Sequence, residues 1–275
     1  MVVNSFWQNK RVLLTGHTGF KGSWMALWLH QLGADVYGYA LEPDTDPALF
    51  TQLDLRRKIH HQIGNIDDGE HLSNYVSEVR PDFVFHLAAQ SLVLRSYSQT
   101  LETWKTNVLG TANLLEALRN TAARCTIVVV TTDKVYSNLE THHAYCETDR
   151  LGGIDPYSAS KAGTELVVNS YRSLYAQENL PLTLASARAG NVIGGGDWCE
   201  NRLVPDIARA LSMGISIETR NPNAVRPWQH VLEPLSGYMA LAEKLTRDHT
   251  LADAFNFGPH PSDNRTVEDV IQTAL

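Results

Sequence analysis

Residues 12–22 read Val12-Leu13-Leu14-Thr15-Gly16-His17-Thr18-Gly19-Phe20-Lys21-Gly22. The first four form an apolar run of strand character, and spaced glycines then lead straight into a segment of helical period, Phe20–Leu32. A glycine has no Cβ, so the backbone there can turn tightly and approach a diphosphate, whose charge is met by free N–H groups at the start of the helix. A glycine loop at a strand-to-helix joint near the N-terminus is what a dinucleotide-binding turn requires. Its contacting stretch is Gly16, Thr18, Gly19, Phe20, Lys21 and Gly22.

Outward from this loop, strand-like runs at Val12–Thr15, Val36–Ala40, Phe83–Leu87, Ile127–Thr131 and Leu182–Ala187 alternate with helix-like segments. The helices are expected at Phe20–Leu32, Asp68–Glu78, Ser98–Thr121 and Pro156–Gln177, the last opened by an Asp155 cap and a proline in its first turn. This alternation predicts an α/β fold: a doubly wound parallel-sheet Rossmann domain over residues 1–190, with return segments near 228–258. After Gly190 the texture changes to Gly194-Gly195-Gly196 and scattered proline steps, so residues 191–275 are expected to form mainly a smaller substrate lobe. Thr266 and Asp269 have the spacing of a capping box, and the chain stops barely two turns later, as a short helix or as an incomplete end.

The chain has 275 residues, 43% hydrophobic, enough for a substantial core, and its formal charge of −7 disfavours nucleic acid and anionic membrane surfaces. Its apolar runs, such as Ile127-Val128-Val129-Val130, fall far short of the roughly 18 residues a membrane-spanning helix needs. The N-terminus places its first positive side chain at Lys10, unlike a secretion signal, and a cytoplasmic protein is expected. Cys125, Cys146 and Cys199 lack paired spacing and read as free thiols in a reducing compartment, and no metal site is expected. His60, His61, His142 and His143 show no ligand pattern and are read as surface residues, while His17 and His230 receive no role.

The second strand lacks the acid that usually meets the adenosine ribose at its end: Asp35 precedes it, and no arginine follows until Arg56. The absence of a 2′-phosphate clamp favours NAD over NADP. Asp67 is a candidate partner for the adenine amino group, or a solvated loop acid.

Two further motifs carry chemistry. Tyr157 and Lys161 stand four residues apart on one face near a helix start. A phenol with a reference pKa near 10 becomes a base at neutral pH only if it is lowered by about three units, roughly 4 kcal/mol of preferential phenolate stabilisation. Thr131-Thr132-Asp133-Lys134-Val135-Tyr136 follows an apolar strand at its carboxyl end, where open parallel sheets place ligands.

At these residues the chain resembles the extended short-chain dehydrogenase/reductase family, in its sugar-nucleotide dehydratase and epimerase group. The resemblance implies a catalytic trio of Thr132, Tyr157 and Lys161, with Leu87, Ala88 and Ala89 among the cofactor contacts. Sugar-nucleotide 4,6-dehydratases typically carry Thr-Asp-Glu where this chain has Thr132-Asp133-Lys134, and Thr-Asp-Lys is the form of the CDP-glucose 4,6-dehydratases. The segments Arg188–Trp198 and Val225–Gly237 extend the likeness, which runs from about Phe6 to Leu275. Members usually continue well past this point, so the substrate lobe is expected to be truncated.

The implied reaction converts CDP-glucose to CDP-4-dehydro-6-deoxyglucose, a step of deoxysugar biosynthesis: oxidation at C4, loss of water across C5 and C6, and hydride return to C6. Asp133 is the expected acid and Lys134 the expected base, roles that oppose what a bare ion pair would give, so the two must separate or share roles differently. Asn191, Arg202 and Arg226 are candidates for the substrate diphosphate, the guanidinium fork suiting bidentate contact. The resemblance also implies a homo-oligomer, dimer or tetramer, with helices Ser98–Thr121 and Pro156–Gln177 in a four-helix seam. Competing expectations are a different sugar-nucleotide 4,6-dehydratase, a 4-epimerase that would give Asp133 and Lys134 no work, and a non-catalytic dinucleotide sensor.

Overall fold

The computed structural model describes residues 5–138, 143–219 and 221–275; the expected surface residue His142 lies outside them. Seven parallel strands form the central sheet: β1 (Arg11–Thr15), β2 (Asp35–Ala40), β3 (His60–Ile63), β4 (Phe83–His86), β5 (Cys125–Thr132), β6 (Leu182–Ala189) and, after the two-residue β7 (Val192–Ile193), β8 (Val225–Arg226) and β9 (Gln229–His230), β10 (Ala254–Phe257). Their spatial order is β10-β6-β5-β4-β1-β2-β3, a doubly wound arrangement whose order reverses between β1 and β4. β7 pairs with β9, and β8 with β11 (Arg265–Thr266).

The central strands are buried from end to end because helices cover both faces, and their side chains alternate between two cores. Val12, Leu14, Val128 and Val130 face α1 (Phe20–Gln31) and α9 (Leu232–Leu245), packing with Met25, Leu29, Leu235 and Leu241. Leu13, Ile127 and Val129 face α3 (Gly69–Val79), α6 (Gly110–Thr121) and α7 (Pro156–Gln177), packing with Leu72, Val76, Leu114, Leu118 and Val168. The remaining helices are α2 (Leu49–Gln52), α4 (Val93–Ser98), α5 (Thr100–Trp104), α8 (Leu203–Met213) and α10 (Val267–Ala274).

Three expectations need correction. The helix read as Ser98–Thr121 is α5, a π-helical turn over Lys105–Leu109 and α6. There the Asn107 carbonyl oxygen accepts the hydroxyls of Thr111 (2.7 Å) and Thr164 (2.8 Å), so the regular ladder is interrupted. β3 is an added edge strand, His60-His61-Gln62-Ile63, too polar to show an apolar pattern. His61 is half-buried rather than a surface residue: its Nδ1 meets Nε2 of fully buried His17 at 2.7 Å. The capping box at α10 forms in both directions, Asp269 N to Thr266 Oγ1 at 3.0 Å and Thr266 N to Asp269 Oδ2 at 2.9 Å.

Candidate active site

The glycine loop lies at the carboxyl end of β1, at the switch point. Gly16 has φ +76°, and a Cβ there would meet Ala88 N at 2.7 Å. At Gly22 a Cβ would lie 2.1 Å from the Gly16 oxygen. These two glycines therefore exist for packing of the turn. Gly19 differs: a Cβ there would meet nothing nearer than the Gly16 oxygen at 3.5 Å, and no side chain caps α1. It leaves an open cradle over the amides of the first turn, which have no intrahelical partners. Phe20 contributes its backbone, since its side chain is buried in the core. Thr18 donates its hydroxyl to the Leu41 carbonyl at 2.9 Å, tying the loop to the end of β2.

Across the switch point, Leu87 N donates to the Thr15 carbonyl (3.2 Å) and Ala88 N to Thr15 Oγ1 (3.2 Å), which holds the partly exposed Leu87, Ala88 and Ala89 beside the loop. His86 locks the same joint, with Nδ1 2.7 Å from Thr15 Oγ1 and Nε2 2.9 Å from Thr111 Oγ1. Further along, Asp67 has a buried Oδ1 with no hydrogen-bond partner, and burial, reinforced by Glu102, raises its pKa. An orphaned acceptor and an open cradle fit the adenine amino group and diphosphate of a dinucleotide. Asp35 cannot meet the ribose: it sits at the opposite end of β2, paired with Arg11 in register and bonded to Tyr37 Oη (2.8 Å) and His60 Nε2 (2.9 Å).

Thr132 ends β5 and caps the short turn Asp133–Val135, its Oγ1 donating to Asp133 Oδ1 at 3.0 Å. Asp155 caps α7 through Ser158 N at 3.0 Å, and Tyr157 N donates to Ser96 Oγ at 3.1 Å, so the start of the helix is pinned beside the strand end. The Tyr157 side chain is buried beside Thr132. Burial pushes its hydroxyl up to about 12, against the pull of Thr132 and Arg202, with Asp133 adding to the rise. Burial thus favours the protonated phenol, and positive charge nearby works against that bias. Lys161 Nζ donates to the Val130 carbonyl at 3.2 Å. Burial draws it down to about 8, while Glu165 one turn on favours its charge.

Glu165 belongs to a buried network absent from the sequence expectations. It accepts from Thr131 Oγ1, from Ser186 Oγ at 2.8 Å and from Arg188 Nη2 at 2.8 Å, and Arg188 reaches Tyr136 Oη at 2.8 Å. The turn carrying Asp133 and Lys134 is thereby fastened to β6 and α7. Lys134 Nζ lies 3.8 Å from Asp133 Oδ1, each side chain 37% exposed. This is the ion pair that the acid and base roles require to open.

The diphosphate candidates divide. Arg202, the N-cap of α8, reaches Asp197 Oδ2 (3.0 Å) and Ser91 Oγ (3.1 Å), and its charge acts on both Tyr157 and Lys21. Asn191 has a buried Oδ1 without a partner, next to Gly190, where a Cβ would stand 3.0 Å from Asp133 Oδ2. Arg226 is exposed, donates to the neighbouring Val225 carbonyl at 2.8 Å and pairs with Arg265 across β8 and β11; among the described residues no hydrogen bond or ion pair joins it to the chamber. Two groups were not foreseen beside the proton-handling residues. Lys21 turns inward to Tyr238 of α9, Nζ to Oη 3.2 Å, and Tyr238 is fully buried. Tyr238 stands one residue beyond the quoted Val225–Gly237 segment, and that adjacency was the available signal.

Comparison with known proteins agrees with this fold. A family model described as GDP-mannose 4,6 dehydratase matches residues 13–257. The chain is 48% identical to the CDP-glucose 4,6-dehydratase of Salmonella typhimurium, over 98% of its own length and 77% of that protein's. Among solved structures, a double mutant of a dTDP-glucose 4,6-dehydratase from Streptomyces venezuelae, with NAD bound, superimposes with a TM-score of 0.81 at 24% identity, covering 96% of this chain and 80% of that one. The UDP-glucose 4-epimerase of Thermotoga maritima gives 0.80 at 23%, covering 96% and 81%. The chain therefore belongs to the GDP-mannose 4,6 dehydratase family.

Proposed function

We propose that this chain catalyses the NAD-dependent dehydration of CDP-glucose to CDP-4-dehydro-6-deoxyglucose. The observation that carries the proposal is the Thr132-Asp133-Lys134 run brought beside the buried Tyr157 at the switch point, in a chain 48% identical to a protein named for this activity. Gly19, the amides of Phe20 and Lys21, Leu87 to Ala89 and Asp67 would hold NAD, with Tyr157 and Lys161 at its reactive end. When bound, NAD supplies the acceptor for hydride from C4 and the donor that returns it to C6.

Tyr157, once ionised, takes the proton of the C4 hydroxyl while Thr132 holds that oxygen in place. Lys161 supplies positive charge next to the phenol. Formation of the C4 ketone acidifies C5–H. Lys134 then removes the C5 proton and Asp133 protonates the departing C6 hydroxyl, which requires their 3.8 Å pairing to open around the sugar. Asn191 and Arg202 would hold the diphosphate; Arg226 would reach it only through movement of its strand pair.

Incubation with CDP-, dTDP-, UDP- and GDP-hexoses, followed by detection of a 4-ketosugar, tests the proposal. A ketosugar from CDP-glucose is expected. Its absence with all four sugars overturns the enzymatic reading in favour of a dinucleotide sensor, and preference for another base overturns the cytidine assignment.

We also propose a homo-oligomer in the cytoplasm. Support for the first comes from Leu101, Leu109 and Leu166, 70%, 57% and 63% exposed on the segment from α5 to α6 and on α7. For the second, no helix among the described residues is long and apolar enough to cross a membrane, and the three cysteines are unpaired.

A further inference from the structure

Lys21 has no place in the reaction sequence beyond its backbone amide, yet its side chain is directed into the reaction chamber. The ammonium donates to Tyr238 Oη at 3.2 Å and lies 5.4 Å from the centre of that ring. The groups around it come from every side of the chamber: Tyr238 from α9, Arg202 with its partner Asp197 from the start of α8, Lys161 from α7, and Asp133 from the turn after β5. Tyr157 feels the same Asp133 and Arg202. Two of these neighbours are cations, and a fixed ammonium among them is electrostatically costly. Burial, with Arg202 and then Lys161, draws Lys21 down to about 7, and Asp133 alone opposes the shift.

This arrangement has a consequence if the chamber holds the cofactor assigned above, on which the inference rests. An oxidised nicotinamide ring is positively charged, and a reduced ring is neutral. We propose that Lys21 is a redox-coupled proton carrier, uncharged beside the oxidised cofactor and protonated beside the reduced one. The balance closes over a turnover. Hydride carries two electrons from C4 to the ring, the hydroxyl proton goes to Tyr157, and Lys21 takes one proton from solvent as the ring loses its charge. When hydride returns to C6, Lys134 gives its proton back to C5, the ring regains its charge and Lys21 releases its proton to solvent. The proton taken by Tyr157 replaces, through solvent, the one Asp133 lost to the departing water. The chain thereby stabilises the reduced state for as long as the ketone must persist for elimination. Tyr238 holds the amine in position through both charge states, because its hydroxyl can accept from an ammonium and donate to an amine.

The test is the dissociation constants of NAD⁺ and NADH, measured by calorimetry between about pH 6 and about pH 8.5, on either side of the Lys21 transition. In the wild type, the ratio of the NAD⁺ constant to the NADH constant should rise about tenfold as pH falls, because binding of the charged ring must expel a proton. Lys21→Met should hold the ratio at its high-pH value throughout. Lys21→Arg, permanently charged, should hold it at the low-pH value and weaken NAD⁺ at every pH. Lys161 remains in both variants, so its own titration cannot produce this opposite pair. A Lys21→Met protein with the wild-type pH dependence, a flat wild type, or a Lys21→Arg protein that binds NAD⁺ as the wild type does overturns the inference while leaving the cofactor assignment standing. A wild type that binds neither cofactor overturns that assignment as well.

Discussion

At Tyr157 and Asp133, single atoms separate two halves of the reaction. Tyr157→Phe removes the hydroxyl that takes the C4 proton, so oxidation itself should slow by about 10²–10⁴-fold, the usual worth of a positioned proton acceptor. Its backbone amide, bonded to Ser96, is untouched and the fold should persist. Asp133→Asn leaves that acceptor in place but removes the acid for C6, so reduced cofactor should accumulate, visible as near-ultraviolet absorbance, while ketosugar formation falls by a similar factor. An epimerase needs nothing from Asp133; full C4 inversion in Asp133→Asn would displace the dehydratase assignment. Lys134 is half-exposed and paired, whereas Lys21 is turned toward a buried tyrosine. Two amines near one carboxylate thus have different surroundings, a distinction set by three-dimensional packing rather than residue type.

The glycine loop shows how an element divides labour among residues that look alike in sequence. Gly22→Ala forces a methyl to within 2.1 Å of a backbone oxygen, so it should lower the unfolding midpoint, by overpacking of about 1–3 kcal/mol. Gly19→Ala meets nothing closer than 3.5 Å, so stability should hold while dinucleotide affinity falls at least tenfold. Equal loss of stability in both variants would remove the cradle from Gly19. The strands beside this loop were legible because covered parallel strands are continuous apolar runs, and α7 was legible from Asp155 and Pro156. β3 was not, since its order comes from pairing with β2 and from the His17–His61 contact. The π-helical turn was also hidden, because it depends on Thr164 reaching the Asn107 carbonyl from another helix. The meeting of Thr132 with Tyr157 could be foreseen from a strand end and a helix start. The approach of Tyr238 to Lys21 spans 217 positions, and the adjacency of Tyr238 to the Val225–Gly237 segment says nothing of which residue it meets.

At the scale of the whole molecule, the proposed seam and the buried histidines govern assembly and acid tolerance separately. Changing Leu101 and Leu166 together to Glu places charge on the exposed apolar face and should shift sedimentation to the monomer; an unchanged mass would rule out that seam. His17 and His86 are both fully or almost fully buried, and burial lowers each from 6.5 to about 3, with His61 deepening the first and Lys161 the second. Their folded values lie below the unfolded one, so between pH 6.5 and about 3 the unfolded chain binds protons that the native chain refuses. Their contribution to stability is complete above 6.5 and is lost progressively as pH falls toward about 3. Because His86 clamps Thr15 to Thr111 and His17 lies against β2 at Gly38, this loss falls on the joint that carries the cofactor crevice. Denaturant midpoints taken above 6.5 and near 5 should therefore differ clearly in the wild type. His86→Gln keeps partners for both threonines but cannot take up the proton: it should be less stable at the higher pH and lose less on acidification. A variant that acidifies along the wild-type curve would show that His86 does not set the acid limit.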